Sequence, residues 1–330
     1  MKKTHLILGI GELLWDVLPE GMRLGGAPAN FAVMAGRLGD RAAVLSRIGR
    51  DELGRQAVDR LEPMPVETTW LEVDPTHETG RVTVSFTDAE PHYTIHEPAA
   101  WDFLEPSDEW VQLAERANAI CFGSLAQRSL QSRQTIQTIA AQVPDSCIRI
   151  FDVNLRTPFY SSEVLEESLE LATVVKMNET EAPLVLSLLD LRVDEFVEEE
   201  KIASTNQDLD RHLAPRVADA SLLATAQRLL DEFPSLQLVA ITHGSRGSLL
   251  ATREEWDEHP GFQVKLVDGI GAGDAFTAAM THYMLRGADL ATLNEAGNRW
   301  GGWMASQSGA MPALPDGVRD AIAAAIERTS

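Results

Sequence analysis

The sequence predicts an α/β fold in which a mostly parallel sheet is covered by helices. Short apolar runs that are typical of interior strands alternate with amphipathic stretches of helical period, and this alternation indicates strand–helix–strand units. The chain has 330 residues, of which 44% are hydrophobic and 24% charged. This composition is ordinary for a globular protein and supports one large buried core.

The predicted elements follow one another along the chain. Interior strands are predicted at Leu6–Ile10, Ala43–Ile48, Ala119–Gly123, Ile148–Val153, Val174–Met177, Leu238–Thr242, Ser248–Ala251 and Gln263–Val267. Helices between them are predicted, among others, at Ala27–Leu38, Ser129–Gln142 and Ser221–Phe233. Two segments, residues 68–95 and 187–220, do not share this rhythm.

Residues 68–95 have a strand pattern of period two instead. Val82, Val84 and Phe86 alternate with polar side chains, which predicts a half-exposed antiparallel hairpin or small sheet. Its apolar face needs a cover, which a substrate, a second subunit or both would supply. Residues 187–220 are acidic and uneven, and they predict a surface insertion of helix and loop whose charges face water.

Charge and cysteine content exclude several classes of partner. The formal net charge is −22, whereas nucleic acids and anionic membrane surfaces attract basic proteins. No run approaches the roughly 20 apolar residues of a membrane span. Cys121 and Cys147 lie in short apolar runs, and buried thiols fit a cytoplasmic protein better than a disulfide framework. We therefore expect a cytoplasmic protein without nucleic-acid or membrane partners.

A glycine-rich segment near the C-terminus, QVKLVDGIGAGDAF at residues 263–276, has the strongest chemical pattern. A β-type run, three alternating glycines and an apolar helix follow one another. Glycines let the backbone approach a ligand closely and point several N–H groups at one place. The open amides and the dipole of the helix N-terminus then favour an anion such as a phosphate.

Asp274 at the end of this turn distinguishes it from two common nucleotide loops. A Walker A loop needs Gly-Lys, which the chain lacks, and a dinucleotide fingerprint needs a glycine where Asp274 stands. A phosphate site beside a carboxylate suits phosphoryl transfer, with amides for the charge and a base for the attacking hydroxyl. From the spacing alone, Asp274 is equally well explained as a helix cap.

A second glycine-rich segment, LGGAPANFAVMAGRLG, lies at residues 24–39. Gly25 and Gly26 precede a predicted helix with Asn30 in its first turn, and Asp16 follows the first strand. A carboxylate and an amide that converge with glycine amides suit vicinal hydroxyl groups. The alternative is an ordinary strand-to-helix turn with a buried capping Asn.

Together these two segments resemble the signature segments of the ribokinase-like, or phosphofructokinase-B-type, carbohydrate kinase family. Three further motifs follow in the family's order: DVNLR at 152–156, NETE at 178–181 and THGSRG at 242–247. The segments ETGRVTV and YTIHEPAAWDF resemble the family's lid and its return, in a form close to that of bacterial fructokinases. The likeness spans nearly the whole chain except residues 187–220.

The resemblance implies a single three-layer α/β/α domain over residues 1–330, with a mostly parallel central sheet. A small β lid would be formed by strands at about 12–24 and 68–100, and the acidic insertion would lie at about 187–220. The lid would close over the sugar and exclude water. Its exposed sheet leads us to expect a homodimer formed through the lid.

The resemblance also implies a role for each matching residue. Asp274 would be the catalytic base, beside an anion hole formed by the amides of Gly271, Ala272 and Gly273. The sugar-binding residues would be Asp16, Gly25, Gly26, Asn30, Arg156 and Trp101. The residues at the nucleotide site would be Asn178, Thr242, Gly244, Gly247 and Asn298. Asn178 and Glu181 would order Mg²⁺ and its waters near the phosphates.

The implied reaction is transfer of the γ-phosphate of MgATP to a hydroxyl of a small carbohydrate, expected to be fructose or a similar neutral ketose. The alternatives are a nucleoside and a keto-deoxy sugar acid, whose carboxylate Arg81 or Arg156 would bind. A catalytically inactive sugar-binding or regulatory relative is an alternative of another class, and the intact GAGD turn argues against it. Activation by K⁺ stays open, because Ala313 stands where the family often has a hydroxyl and Gly269 replaces its usual Thr.

Overall fold

The computed structural model describes residues 4–19, 21–87, 90–192 and 217–328 of the chain. The strands are β1 (Leu6–Ile10), β2 (Leu14–Leu18), β3 (Gly21–Gly25), β4 (Arg41–Gly49), β5 (Leu71–Asp74), β6 (Gly80–Thr87), β7 (Glu90–Ile95), β8 (Ala119–Gly123), β9 (Ile148–Asp152), β10 (Val174–Asn178), β11 (Leu238–Thr242), β12 (Ser248–Ala251) and β13 (Trp256–His259). The helices are α1 (Ala27–Leu38), α2 (Glu52–Leu61), α3 (Asp108–Ala114), α4 (Leu130–Gln142), α5 (Ser162–Leu171), α6 (Glu181–Leu188), α7 (Val217–Glu232), α8 (Ala272–Met284), α9 (Leu290–Ala305) and α10 (Val318–Ile326).

Nine of the described strands form one large sheet in the order β13-β12-β11-β10-β9-β8-β1-β4-β5. The strands from β11 to β5 are all parallel, whereas β12 and β13 extend one edge as antiparallel strands. The strand order reverses at β1, which lies between β4 on one side and β8 on the other. Open parallel sheets bind ligands at the carboxyl ends of strands beside such a reversal.

Side chains of the central strands alternate between two apolar clusters, one on each face of the large sheet. Along β1, Leu6, Leu8 and Ile10 join the cluster that packs under α3 to α7. Ile7 joins the cluster that packs under α1, α2 and α8 to α10. The sheet is therefore the middle of three layers, and its strands are buried on both faces as continuous apolar runs predict.

A second sheet has four strands in the order β3-β2-β6-β7. The pairs β2–β3 and β6–β7 are antiparallel hairpins, and the parallel pairing of β2 with β6 joins them. Both hairpins contribute side chains to a cavity that the carboxyl ends of β1, β8 and β9 also line. The predicted fold class, a mostly parallel layered sheet with a small additional sheet, is confirmed.

The predicted strand at residues 263–267 is wrong. This segment is irregular, with Val264 and Leu266 exposed, and the edge of the large sheet is formed by β13 instead. The amides of Val267 and Asp268 donate to the carbonyl of Ala305 at the end of α9, at 2.9 and 3.2 Å. An apolar run becomes a strand only where it pairs with another strand, and the backbone of this run pairs instead with the end of α9.

The predicted lid boundary is also too early. β5, which lies inside the expected range of 68–100, pairs in parallel with β4 and belongs to the large sheet. Of the predicted acidic insertion, residues 193–216 lie outside the described residues, while α6 and α7 take up its two ends. Cys121 and Cys147 are buried and free, as predicted. Within the described residues, no helix combines the length and the apolar character that a membrane crossing requires.

Candidate active site

A cavity of about 840 Å³ opens between the carboxyl ends of the large sheet and the small sheet. The N-terminus of α1 and the glycine-rich turn before α8 complete its wall. Of the residues predicted from sequence, the cavity brings together Asp16, Gly25, Gly26, Asn30, Arg156, Gly271, Gly273 and Asp274. The two signature segments, which are far apart in sequence, therefore meet at one site.

Helix α8 begins at this cavity without a side-chain cap. Its N-cap residue is Gly271, whose backbone is left-handed with φ 78°. A Cβ at Gly271 would lie 2.9 Å from the Cα of Ala310, so a larger residue would push the turn away from the loop behind it. The amides of Gly271, Ala272 and Gly273 precede the first helical hydrogen bond, which the amide of Ala275 donates to the carbonyl of Gly271 at 2.9 Å, and they lie at the positive end of the helix dipole. They form a site for an anion.

Asp274 is the third residue of α8 and makes no capping hydrogen bond, so the helix-cap alternative does not describe it. Its Oδ2 accepts a hydrogen bond from Nδ2 of Asn30 at 2.7 Å. Burial and the negative charge of Asp152 raise the pKa of Asp274 to about 6, against the lowering effects of Lys176, Asn30 and Arg156. The carboxylate is ionised at neutral pH, and its pKa is close enough to neutrality for proton transfer.

A buried ion pair that the sequence analysis did not identify stands next to Asp274. Asp152 ends β9 and Lys176 lies opposite it on β10, with the ammonium nitrogen 3.1 and 3.2 Å from the two carboxylate oxygens. The hydroxyl of Thr277 on α8 donates to the same carboxylate at 3.2 Å. Burial lowers the pKa of Lys176, but the charges of Asp152, Asp274 and Glu181 outweigh burial and raise that pKa above its usual range. Lys176 therefore stays positively charged beside the glycine-rich turn at residues 269–273, which we call the anion turn.

Two further carboxyl groups, those of Glu12 and Asp16, belong to the cavity wall. Oε1 of Glu12 accepts from the amide of Ala27 at 3.1 Å, so Glu12 caps α1, whose N-cap residue Gly26 has no side chain. Burial raises the pKa of Glu12 to about 7 and that of Asp16 to about 6. A Cβ at Gly26 would lie 2.3 Å from the Glu12 carbonyl oxygen, and one at Gly25 would lie 3.1 Å from Oδ2 of Asp16. Glycine at both positions keeps these two acids in place.

Positive charge reaches the cavity from Arg156 as well as from Lys176. Arg156 follows β9 and is exposed at the cavity rim. Its charge lowers the pKa of Asp16 and of Asp274, although in both groups burial has the larger, opposite effect. The cavity is therefore an acidic site with cationic side chains at its margin.

Asp268 links the small sheet to the glycine-rich turn. Its carboxylate pairs with Arg23 on β3. The same carboxylate accepts hydrogen bonds from the amides of Ile270 and Gly309, at 3.0 and 3.1 Å. Three segments, the small sheet, the anion turn and the loop after α9, are held by one side chain.

The NETE turn after β10 forms a closed set of hydrogen bonds. Oδ1 of Asn178 accepts from the amides of Thr180 and Glu181, both at 2.9 Å. The Glu181 carboxylate accepts from the amides of Asn178 and Leu155 at 2.8 and 2.9 Å. The turn thereby holds the loop after β9 against the end of β10. Among the described residues, no three His, Cys, Asp or Glu side chains come together to bind a metal directly.

The predicted nucleotide residues Thr242, Gly244 and Gly247 lie beside the NETE turn and do not line the cavity. The carbonyl of Thr242 accepts from the amide of Glu179 at 2.9 Å, which joins the two turns. Gly247 has φ 95°, and a Cβ there would lie 1.8 Å from the carbonyl oxygen of His259. The glycines therefore shape a tight connection between β11 and β12.

Trp101 does not reach the position expected for it, whereas Asn298 lies next to the loop of the predicted nucleotide residues, because its partner Ser248 directly follows Gly247. Trp101 is fully buried, its ring lies 4.0 Å from the guanidinium of Arg128, and it packs against Gly80, where a Cβ would lie 2.2 Å from its indole nitrogen. The side chain of Asn298 is buried and donates to the hydroxyl of Ser248 at 2.7 Å. Trp101 packs against the start of β6, and the hydrogen bond of Asn298 connects α9 to β12.

Sequence reasoning missed Glu12 and Lys176 as members of the site. Each is a charged residue inside an otherwise apolar run, ILGIGELLW and VVKMN. A charge that folds into a buried strand or its immediate end must be paired or functional, because burial without a partner is costly. That signal was available in the sequence and points to both residues.

Comparisons with known proteins agree with this geometry. A sequence profile of the pfkB family of carbohydrate kinases matches residues 20–317. The chain is 30% identical over 312 residues to the sugar kinase PH1459 of Pyrococcus horikoshii, covering 89% of this chain and 87% of that protein. The crystal structure of PH1459 matches with a TM-score of 0.76 over 97% of both chains, and a second structure of it contains ATP.

Fructokinases are also among the relatives. The fructokinase of Escherichia coli is 28% identical over 332 residues, covering 93% of this chain and 95% of that protein. A crystal structure of Vibrio cholerae fructokinase with bound fructose, ADP and calcium ion matches with a TM-score of 0.74 at 25% identity, over 97% and 98% of the two chains. The profile match includes both glycine-rich segments that meet in the cavity. The chain belongs to the pfkB family of carbohydrate kinases, enzymes that transfer a phosphoryl group to a sugar.

Proposed function

We propose that the protein phosphorylates a small neutral sugar, fructose or a similar ketose, with ATP as the donor and Asp274 as the catalytic base. The observation that carries the proposal is the position of Asp274, in the first turn of an uncapped helix that faces the cavity. The helix amides offer a site for an anion, and the carboxylate beside them offers a site for a proton. Phosphoryl transfer to a hydroxyl needs both in one place.

The proposed reaction uses these two sites together. A sugar hydroxyl loses its proton to Oδ1 of Asp274, while Oδ2 is held by Asn30 at 2.7 Å. The hydroxyl oxygen bonds to the γ-phosphorus as the bond from that phosphorus to the bridging β-phosphate oxygen breaks, and ADP leaves. The amides of Gly271, Ala272 and Gly273 stabilise the charge on the transferring group.

Oδ1 of Asn178 already accepts three hydrogen bonds, from the amide and hydroxyl of Thr180 and the amide of Glu181, so Asn178 positions Glu181 and its oxygen is not a further partner of the expected Mg²⁺. Glu181 fits that ion as a partner of its water shell, because it presents carboxyl oxygens, the donor type that Mg²⁺ prefers, and this ion usually keeps several waters. Each Glu181 oxygen accepts a backbone amide hydrogen bond, and a carboxylate oxygen has a further lone pair for a water. When bound with the nucleotide, Mg²⁺ neutralises part of the phosphate charge.

The choice of ATP as donor is supported by the ATP-containing structure of PH1459 and by the surface beside the cavity. Leu155 lines the cavity and donates its amide to Glu181, so the NETE turn begins where the cavity ends. The turn with Gly244 and Gly247 follows immediately after it in space. A nucleotide that lies along these turns would present its terminal phosphate to the N-terminus of α8.

The charges in the cavity favour a neutral substrate. Glu12, Asp16 and Asp274 contribute carboxyl groups to it, against the cationic groups of Arg156 and Lys176. Carboxylates accept hydrogen bonds from sugar hydroxyls, and such charge-assisted bonds are strong. A substrate carboxylate would meet the like charges of Asp16 and Asp274, which cost free energy at close range.

The alternative substrates have weaker support in the described structure. Arg81, which a sugar acid would use, pairs with Glu78 at 3.3 Å and is absent from the described cavity lining, although Arg156 is present. That lining also contains no aromatic ring on which a nucleobase would stack. An inactive relative would not need the Asn30–Asp274 hydrogen bond.

A substrate panel tests the proposal. Fructose, ribose, keto-deoxygluconate and adenosine are each offered with MgATP, and ADP release and the phosphorylated product are both measured. We expect fructose or a similar ketose to have the highest kcat/KM, because an unmatched polar group in the site discriminates strongly. A preference of about tenfold for keto-deoxygluconate that Arg156→Ala abolishes would contradict it, as would a preference for adenosine or no turnover with any sugar.

We infer further that two chains pair through the small sheet. One side of this sheet contributes to the cavity, and Met22 on β3 is 46% exposed, which leaves an apolar side chain for a partner to cover. Sedimentation of the wild-type protein should give a dimer, and Met22→Glu should weaken it; a monomeric wild type would contradict this. The two buried free thiols support a cytoplasmic location, which fractionation of the source cells would test.

A further inference from the structure

We propose that the buried ion pair between Asp152 and Lys176 is a positioning device that controls the ionisation of the base Asp274, with the two partners acting in opposite directions. The inference rests on the proposed role of Asp274 as the base. It assigns a function in the reaction to two side chains that lie in the sheet under the catalytic helix.

Three elements contribute to the hydrogen bonds of the ion pair: the strands β9 and β10, and the helix α8 that carries the proposed base. Lys176 on β10 holds both carboxylate oxygens of Asp152, at 3.1 and 3.2 Å. The hydroxyl of Thr277 on α8 lies 3.2 Å from Asp152 and 3.0 Å from the carbonyl oxygen of Gly273, and its single proton is donated to one of these two acceptors at a time. The residue before the base and the ion pair are therefore joined through a single hydroxyl.

Lys176 also stands directly against the anion turn. A Cβ at Gly273 would lie 2.8 Å from the ammonium nitrogen of Lys176, so a side chain at this position would make the end of the lysine shift. Lys176 lines the cavity, although its side chain is only 9% exposed. The ammonium group thus lies within the wall that faces the transferring phosphoryl group, where water screens its charge little.

Both signs of charge act on Asp274 from the elements packed around it. Asp152 from β9 raises its pKa, whereas Lys176 from β10 lowers it, and burial adds to the effect of Asp152. Arg156 from the loop after β9 and the amide of Asn30 from α1 also lower it.

Glu12, at the end of β1, is coupled to Asp274 as well, since the charge of Asp274 raises the pKa of Glu12. Glu12 has its own fixed hydrogen bond to the start of α1. The ion pair differs from these neighbours because its two members are hydrogen-bonded to each other and have opposite effects on the pKa of Asp274. Removing either half leaves the other uncompensated beside the base.

A merely structural ion pair predicts a different result. Loss of either partner of a buried pair destabilises a protein, because the remaining charge has no partner. Such damage would lower stability and activity in both single variants and at every pH. If the ion pair instead sets the ionisation of the base, the two single variants should shift the pH profile in opposite directions.

The test is the pH dependence of kcat/KM, from pH 4.5 to 9, in the full-length enzyme with its best sugar and MgATP. The wild-type acid limb is expected near pH 6. Lys176→Met should move that limb to higher pH and Asp152→Asn to lower pH, each by on the order of one pH unit. The double variant, which leaves no unpaired charge, should fall between the two single variants. Limbs that do not move, or that move in the same direction, would overturn the proposal.

Two further comparisons keep the result interpretable. Where Lys176→Met does not accumulate as folded protein, Asp152→Asn is compared with the double variant, because these two differ only in the lysine charge. The acid limb of the double variant is then expected at a higher pH than that of Asp152→Asn, and acid limbs at the same pH would overturn the proposal.

A second measurement follows the ionisation of Asp274 without relying on turnover. Infrared difference spectra of each protein against the same protein carrying Asp274→Asn give the titration of the Asp274 carboxyl group without any substrate. If no sugar is phosphorylated, the proposed function fails, yet the opposite displacements of this titration are still expected. If turnover occurs and the titration is insensitive to both substitutions, the role of the ion pair is refuted while the proposed function stands.

Discussion

The side-chain amide of Asn30 donates a hydrogen bond of 2.7 Å to Oδ2 of Asp274, across 244 positions of sequence. It connects the first turn of α1 to the first turn of α8, so the two helix N-termini point into one cavity. The hydrogen bond fixes the carboxylate in one orientation and favours its ionised form. One oxygen is thereby committed to the scaffold, which leaves the other for the proposed proton transfer from a substrate hydroxyl.

Replacing Asp274 by Asn should remove the proton acceptor while preserving shape. Loss of a general base typically lowers turnover by about 10²–10⁴-fold, so we expect kcat to fall by this amount. The affinities for sugar and ATP, measured by calorimetry, should stay within a few-fold of the wild type, since the amide keeps the size of the carboxylate. Turnover close to that of the wild type would exclude Asp274 as the base.

A side chain at Gly273 should disturb the contact between the anion turn and Lys176. A Cβ there would lie 2.8 Å from the Lys176 ammonium nitrogen, so Gly273→Ala displaces either the amide or the lysine, and Gly273→Val more so. We expect kcat to fall by about 10²-fold or more, as when an anion-hole donor is lost. The matched control is Gly269→Ala in the same turn, where a Cβ would meet nothing within 4 Å.

The control variant should keep near-normal kcat, and thermal unfolding of both variants should stay cooperative. If Gly273→Ala is as active as Gly269→Ala, the turn does not hold the phosphoryl group.

Glu12 should make the stability of the protein fall as the pH rises. A glutamate in the unfolded chain loses its proton near pH 4.5, whereas the folded protein keeps the proton on Glu12 up to about pH 7. Between these values the unfolded state binds fewer protons, so rising pH disfavours folding, by about 3 kcal/mol in all. Glu12→Gln keeps an acceptor for the amide of Ala27 and removes the group that causes this loss of stability with pH.

The variant should therefore gain stability relative to the wild type between pH 5 and pH 8, as measured by urea unfolding at both values. Glu62→Gln serves as the control, because Glu62 is exposed, and its effect should be equal at the two pH values. A Glu12→Gln effect that does not change with pH would show that the carboxyl group is already ionised in the folded protein at pH 5.

Asp16 is expected to bind the sugar without taking part in the chemistry. Asp16→Asn replaces a charge-assisted hydrogen bond by a neutral one, which costs about 10- to 100-fold in binding. We expect KM for the sugar to rise by this factor, with kcat and KM for ATP changed little. Arg81→Ala, at a charged residue outside the described cavity lining, should leave all three constants near wild type. An unchanged KM in Asp16→Asn would remove Asp16 from the sugar site.

Most of the sheet could be predicted because its strands are buried on both faces. Runs such as Leu6–Ile10 and Leu238–Thr242 have no other way to bury their side chains, and the structure places them as expected. The apolar run at residues 263–267 was assigned wrongly because sequence does not reveal which segment its backbone pairs with. The strand at Trp256–His259 was missed because its charged and polar residues give no apolar signal.

The site was predictable where chemistry resides in a motif and less so where it depends on orientation. Asp16, Asn30 and Asp274 stand beside glycines, and the structure brings all three to the cavity. Trp101 was assigned to the sugar from its place after the lid strands, but an aromatic ring is as readily buried as exposed to a ligand. Lys176 was passed over, although it lies two residues after Val174, which faces the helix layer of α1 and α8.

The carboxylate of Asp268 is a direct structural connection between the proposed sugar site and the proposed phosphate site. It joins Arg23, on a strand of the small sheet, to the backbone of the turn that would receive the phosphate. We expect a sugar that binds against the small sheet to stabilise that turn as well, and a bound nucleotide to stabilise the sheet. Linkage requires the two effects to be equal: whatever factor the sugar adds to nucleotide affinity, the nucleotide must add to sugar affinity. With the two sites coupled in this way, the phosphate site would be assembled most fully when an acceptor is present, and this would limit the loss of ATP to water.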